Sequence, residues 1–187
     1  MSPSILPLIF LVSTSVQPSF PVPLTPDALV ENFERSLEEM DVGEYERLLD
    51  WSYLFDFAPE HEWMAPEGWQ IDEELDAMRR LLGGEPSRHD GHERRVAAID
   101  VEMRPMGPWE ETHEDPLGVL RTWQRDYDAR IVVEFDDDTK VRIHRRQVLT
   151  VISGYDEARM ELREFKLLRW EEEESLVRPF GSMKARF

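Results

Sequence analysis

Thr25-Pro-Asp-Ala-Leu-Val-Glu-Asn-Phe-Glu-Arg-Ser-Leu-Glu-Glu-Met-Asp-Val-Gly-Glu-Tyr-Glu-Arg-Leu-Leu49, followed after Asp50, Trp51 and Ser52 by Tyr53-Leu-Phe-Asp-Phe57, is the stretch whose reading decides the fold. Thr25 suits a helix N-cap, and Pro26 suits the first helical position, where a missing N–H leaves nothing unsatisfied. Asp27 complements the positive end of the helix dipole. Leu24 and Leu29 have the spacing of a hydrophobic staple. Leu29, Phe33, Leu37 and Met40 recur at helical spacing, which predicts one apolar stripe opposite a solvated Glu and Arg face. Asp41 and Glu44 fit a capping box that opens a short second helix carrying Tyr45, Leu48 and Leu49. From Trp51 to Phe57 the pattern changes to that of a strand, with Trp51, Tyr53, Phe55 and Phe57 on one face and Ser52, Leu54 and Asp56 on the other.

Downstream, Asp72 is placed to cap a third helix whose Leu75, Met78 and Leu82 face inward until Gly83-Gly84 stops it. A polar loop follows from Glu85 to Glu93. Arg95 to Arg104 reads as a strand with Ala97, Ile99, Val101 and Met103 on one side, and a long loop runs from Pro105 to about Gly118. Tyr127, Ala129, Ile131, Val133 and Phe135 alternate in register. Asp136-Asp137-Asp138 makes a turn into a long strand from Lys140 to Ser153, and a last strand spans about Ala158 to Trp170. Helices first and consecutive strands afterwards predict an α+β domain with a mainly antiparallel sheet. There is no internal repeat.

Composition bounds the function. The chain has 187 residues, 22 Lys and Arg against 40 Asp and Glu, and a net charge of −18. Such an excess of negative charge argues against nucleic acid or an anionic membrane surface as a partner. The length suits a single domain, and 41% hydrophobic residues with six Trp and nine Phe supply a core. The absence of Cys excludes disulfides, thiolate metal sites, a cysteine nucleophile and a lipid-modified N-terminal cysteine. Every charged side chain lies from Asp27 onward. Ahead of it, the apolar run Ile5 to Val12 followed by Ser13-Thr14-Ser15 resembles a secretory signal cleaved after Ser15, although no Lys or Arg precedes it. A disordered leader or a mis-assigned start is the other reading. The run is too short for a stable membrane span, which takes about 20 apolar residues. The expected organisation is therefore a signal peptide over 1–15, a Pro-rich linker over 16–24, a folded domain over 25–172 and an irregular tail over 173–187. Export to a periplasmic or extracellular space follows from the signal, and a cytoplasmic protein follows without it.

The two segments quoted first, together with Phe165-Lys-Leu-Leu-Arg-Trp-Glu171 as a closing strand with a late Trp, resemble the nuclear transport factor 2-like superfamily, in particular its SnoaL-like and related bacterial branches. The resemblance covers about residues 25 to 172. It implies a cystatin-like cone in which a strongly curved, mainly antiparallel sheet wraps around three N-terminal helices and encloses a pocket. Dehydratases, isomerases, polyketide cyclases, transport factors and non-catalytic domains share that shape, so the fold alone does not select a chemistry.

Enzymes of this kind use acid and base groups in an apolar pocket, where desolvation moves pKa values toward what proton transfer needs. By position the candidates are Tyr53, Asp56 and His61, yet Asp56 lies opposite the aromatic face of its strand, and no catalytic dyad of the family can be placed residue by residue. The expected ligand-binding residues are Trp51, Tyr53, Phe55, Trp63 and Arg145. Lys140-Val-Arg-Ile-His-Arg-Arg146 is a basic cluster on an acidic chain, with Arg142, His144 and Arg146 pointing one way and Val141, Ile143 and Arg145 the other. Arg145 on the concave side would hold an anionic ligand. Cross-strand pairing with acids such as Glu134, Glu161 or Glu164 is the favoured alternative. His89-Asp-Gly-His92 and His113 among Glu110, Glu111, Glu114 and Asp115 read as polar loops, since zinc sites take three or four ligands in defined geometry. No phosphate loop, nucleophile elbow or H-E-x-x-H pattern occurs, and neither metal nor cofactor is expected. The sequence thus points to a non-catalytic, exported domain for small-molecule binding or protein assembly, with a hydrophobic or anionic ligand and a homodimer as its partners. An acid/base enzyme of the dehydratase, isomerase or cyclase type is the alternative.

Overall fold

A computed structural model describes residues 20–87, 93–112, 121–156, 161–173, 180–185 and 187. Helix α1, Pro26–Glu38, begins as expected: the Thr25 hydroxyl accepts from Ala28 N at 3.1 Å, and Leu29, Phe33 and Leu37 are buried. The staple does not form, because Leu24 points to solvent at 58% exposure. Phe20 takes the buried position instead, under the guanidinium of Arg35. Helix α2, Val42–Leu48, is capped by Asp41, whose carboxylate accepts from Glu44 N at 2.9 Å. The Glu44 carboxylate does not close a capping box; it is held by Arg47 at 2.6 Å.

Strand β1, Leu49–Asp56, buries Leu49, Tyr53 and Phe55 and turns Trp51 outward. The expected alternation from Trp51 is broken by a register irregularity between Leu49 and Leu54 where β1 meets the closing strand. A bulge of that kind moves the side chains on one side of it to the other face. A 3-10 turn, Pro59–Met64, and the short strand β2, Trp69–Gln70, lead into helix α3, Ile71–Leu82. Gln70 rather than Asp72 stands at its N-cap, and the Glu73 carboxylate accepts from Gln70 N at 2.8 Å.

The remaining strands are β3 (Val96–Pro105), β4 (Glu110–Thr112), β5 (Arg121–Phe135), β6 (Lys140–Asp156) and β7 (Glu161–Glu172). In β3 the inward set is Val96, Ile99, Val101 and Met103, while Ala97 is exposed because the pairing shifts between Val96 and Ala98. Strand β4 lies inside the stretch expected to be loop; the Thr112 and Thr122 hydroxyls meet across it at 2.9 Å. The turn at Asp136 to Asp138 forms as expected, with Asp138 at φ +63°, a conformation that short polar side chains tolerate. The strands assemble in the order β2-β1-β7-β6-β5-β3, with β4 on β5. Among the described residues every pair is antiparallel except β1 with β7.

The architecture is the expected α+β cone. Helix α1 packs on β3 and β7 and α3 on β1 and β2. Edge strand β3 is covered from α1, since Glu34 accepts from Met103 N at 2.5 Å and Glu38 from Val101 N at 3.4 Å. Exposed edges invite pairing with other chains, and side-chain carboxylates on their N–H groups block it.

Part of the segment read as an irregular tail is a fourth helix, α4, Phe180–Lys184. It forms because the Glu172 carboxylate accepts from Phe180 N at 2.7 Å and from Gly181 N at 3.2 Å, and because Phe180, Met183 and Phe187 are buried. His89, His92, His113, Glu114, Asp115 and the leader over 1–15 lie outside the described residues. No helix among the described residues is long and apolar enough to cross a membrane.

Candidate ligand chamber

The interior of the cone is more polar than an ordinary core. Helix α3 carries Glu74 one turn before Met78 and two turns before Leu81, so all three face inward. From α2, Tyr45 Oη donates to Glu74 Oε1 at 2.5 Å. From α4, Lys184 Nζ donates to both Glu74 oxygens at 2.7 Å. All three side chains are fully buried, and the phenol of Tyr53 on β1 lies beside them. Burial pushes the Tyr45 hydroxyl well above its ordinary pKa, and the neighbouring Glu74 carboxylate adds to that. Tyr53 is raised for the same two reasons. Burial pulls the Lys184 ammonium down, against the attraction of Glu74 and Glu172.

A second set lies where the end of β7 meets the middle of β6. Gln147 pairs in register with Glu172, and the buried Glu172 carboxylate is raised by desolvation against the opposing pull of Lys184. Gln147 is buried and its carbonyl accepts from Trp170 Nε1, while its Nε2 donates to no described residue. Arg145, two residues earlier on the same face, has a fully buried side chain and donates to Glu60 of the 3-10 turn at 2.5 Å. Aromatic rings enclose both sets: Phe55 and Trp170 meet edge to face at 5.3 Å, and Trp170 stacks on Phe180 at 5.5 Å.

Two clefts border this interior among the described residues. The larger, about 530 Å³, opens at the rim beside the Asp56–Arg169 ion pair and Gly68 and extends to Glu172. The smaller, about 190 Å³, runs between Glu73, Asp76 and Phe187 to Lys184.

Of the residues expected to act, Tyr53, Phe55 and Arg145 are gathered inside. Asp56 lines the rim cleft, where neither Tyr53 nor His61 joins it. His61 is half-buried on the 3-10 turn, its Nδ1 3.9 Å from Glu60. Trp51 and Trp63 stand on the surface at 84% and 76% exposure. Two of the outward-facing members of the basic cluster pair across strands, His144 with Asp128 at 2.7 Å and Arg146 with Asp126 at 2.5 Å. Among the described residues, no group of three or more potential ligands is placed to hold a metal ion. Sequence reasoning passed over Glu74, Glu172 and Lys184. Only the phase of Glu74 with Met78 and Leu81 carried a signal for the first of them.

No protein-family model matches the chain. No curated protein matches it either. Among solved structures, a provisionally assigned scytalone dehydratase from Novosphingobium aromaticivorans aligns with a TM-score of 0.52 at 8% identity, over 83% of this chain and 90% of that one. A provisionally assigned aromatic ring hydroxylase from the same organism aligns at 0.49 with 7% identity, over 79% and 84%. A nuclear transport factor 2-like protein of unknown function in nutrient uptake from Rhodospirillum rubrum aligns at 0.43 with 12% identity, over 79% and 96%. Element order, sheet topology and the likeness to the first of these structures agree that the chain has the nuclear transport factor 2-like fold.

Proposed function

We propose that this chain is a non-catalytic binding domain whose ligand chamber is the interior of the cone. The observation that carries the reading is the Tyr45–Glu74–Lys184 network. General acid–base catalysis needs a titratable group whose proton can pass to a substrate. Here the buried carboxylate most deeply placed in the cone has both oxygens engaged by its own chain. A carboxylate so held is fixed in place to receive a ligand's hydrogen-bond donor or cation, the role this reading gives it. Clefts lined by Glu172 and by Lys184 border the interior from two sides, where a ligand would enter. Thermal-shift and NMR titrations with small hydrophobic, anionic and cationic probes test this, and binding that perturbs Trp170 and Tyr45 resonances is expected. If no probe of any class moves the melting temperature or those resonances, the binding reading fails.

Export belongs to the same proposal and rests on the apolar run Ile5 to Val12 with its following Ser13 and Ser15. Mass spectrometry of the mature protein is expected to find a chain beginning after Ser15, and an intact Met1 in the cytosol would contradict it.

The acid/base enzyme remains a second reading because Asp56 lines the larger cleft. It requires that Asp56→Asn abolish turnover of a hydroxylated or enolisable substrate while leaving binding intact. Unchanged turnover in that variant would remove Asp56 as its catalytic group.

A further inference from the structure

We infer that the cage around Lys184 Nζ is a binding site for ligands bearing a primary ammonium group, and that the chain's own C-terminal helix is its resident competitor. The inference rests on the binding-domain reading above and names the ligand class. Its basis is the surroundings of one nitrogen. Nζ sits 2.7 Å from both oxygens of Glu74, and four aromatic rings surround it, with centroids at 3.4 Å for Phe55, 4.8 Å for Trp170, 5.4 Å for Phe180 and 5.8 Å for Trp69. A carboxylate closed in by ring faces is the arrangement by which proteins recognise ammonium ions, combining a charge-assisted hydrogen bond with attraction to the ring quadrupoles.

Packing alone does not account for a lysine at this position. Burying an ammonium and a carboxylate costs each its hydration, and replacing such a pair by apolar side chains is often neutral or stabilising. Methionine has nearly the same length and flexibility and would fill the space without a charge. The cage therefore selects a cation where the core requires only volume.

The element that delivers Lys184 also brings one of the four rings, Phe180, while Phe55, Trp69 and Trp170 belong to the sheet. Helix α4 has five residues, and its backbone passes so close to Phe55 that a Cβ on Gly181 would lie 2.7 Å from the ring. Its first N–H groups are held by Glu172 and its last side chain by Glu74, so two buried carboxylates grip it at its ends. The rim cleft leads to the first of these grips and the smaller cleft to the second. The smaller cleft is lined by Glu73, Asp76 and Arg80, and because Arg80 pairs with Asp76 the attraction it offers a cation rests on Glu73. Arg145, the other buried cation on this side, is committed to Glu60 and leaves Glu74 to α4.

The test uses the full chain. Lys184→Ala deletes three methylenes and the ammonium, a void that n-propylammonium matches; 1-propanol and propionate are its neutral and anionic counterparts. Binding is read by thermal shift and by the Trp170 indole resonance. The expected result is that n-propylammonium stabilises Lys184→Ala with an affinity about tenfold or more above its affinity for the unaltered chain, where Lys184 competes, and that Glu74→Gln added to Lys184→Ala removes the effect. Lys184→Met serves if Lys184→Ala does not fold. Its apolar side chain is a weaker competitor, so the amine is again expected to bind it more tightly than the unaltered chain. The inference is overturned if 1-propanol or propionate equals the amine, if Glu74→Gln has no effect, or if affinity is the same in all chains. Binding of the neutral or anionic probe without the amine would leave the binding domain standing and sink only the ammonium site. Silence from all three probes would sink the ammonium site, and the binding domain would fall with it only where the wider probe panel is silent too.

Discussion

Lys184 Nζ and the Glu74 carboxylate share two 2.7 Å hydrogen bonds in a place where neither side chain touches solvent. Removing one member of a buried pair leaves an uncompensated charge, which costs about 3–5 kcal/mol. Lys184→Met and Glu74→Leu are each expected at the lower end of that range, because undocking of α4 offers relief. The double variant should recover most of the loss. Urea unfolding of all four chains measures the cycle, and strict additivity of the single changes would contradict the coupling.

Tyr45→Phe deletes the third contact to the same carboxylate. A buried hydrogen bond to a charged group contributes about 1.5–3 kcal/mol. A loss of that size is expected in the unfolding free energy with the fold otherwise kept, since Phe33 and the rest of the core still hold the ring.

Glu34 makes stability depend on pH. Burial raises its pKa to about 7, against the hydrogen bond from Met103 N and helped by the nearby Glu38, Glu31 and Glu102. Between its ordinary value of 4.5 and 7 the folded chain keeps a proton that the unfolded chain releases. Stability therefore falls as pH rises through that window. Glu34 is partly open to solvent, and the effect is discounted to about 1 kcal/mol. Glu34→Gln is expected to flatten this part of the profile, measured by urea midpoints at successive pH values, while preserving an acceptor for Met103.

Gly181→Ala places a methyl group 2.7 Å from Phe55 Cε1 and 2.9 Å from Phe57 Cδ1. Overpacking of this kind costs about 1–3 kcal/mol. Hydrogen exchange at Phe180 and Gly181, whose amides donate to Glu172, is expected to accelerate before any global change. Unchanged exchange would contradict the close seating of α4.

Trp51 and Trp63 contribute area to the surface and little to the core. Replacing either by Ser is expected to change stability by no more than about 0.5 kcal/mol. A larger loss in thermal unfolding would place them in the packing after all.

The parts of the fold that were legible in the sequence are those with sustained periodicity. Tyr127 to Phe135 alternates for nine residues and is buried as expected, and Thr25 and Asp41 announce the helix starts. Trp51 was misplaced because one irregularity in pairing resets the alternation and leaves no mark on residue types. Helix α4 went unread because its five residues span little more than one turn, too few for a period, and its N-terminal partner is a carboxylate eight residues away at Glu172. Glu74 was hidden in Asp72-Glu73-Glu74, where three like residues stand together and only phase distinguishes the buried one. The site is a meeting of α2, β1, α3, β7 and α4, and such meetings are products of topology, not of spacing.

The parallel pairing of β1 with β7 sets how the molecule must come together. Phe55 of β1 lies beside Trp170 of β7, while the turns and short connections between β5 and β6 keep that pairing local. Local hairpins form early because little chain entropy is lost in closing them, whereas ends separated by most of the chain meet late. The seam between β1 and β7 is thus expected to be the final joint of folding. Substitutions along it, Phe55→Leu for instance, should speed unfolding while leaving the refolding rate nearly untouched.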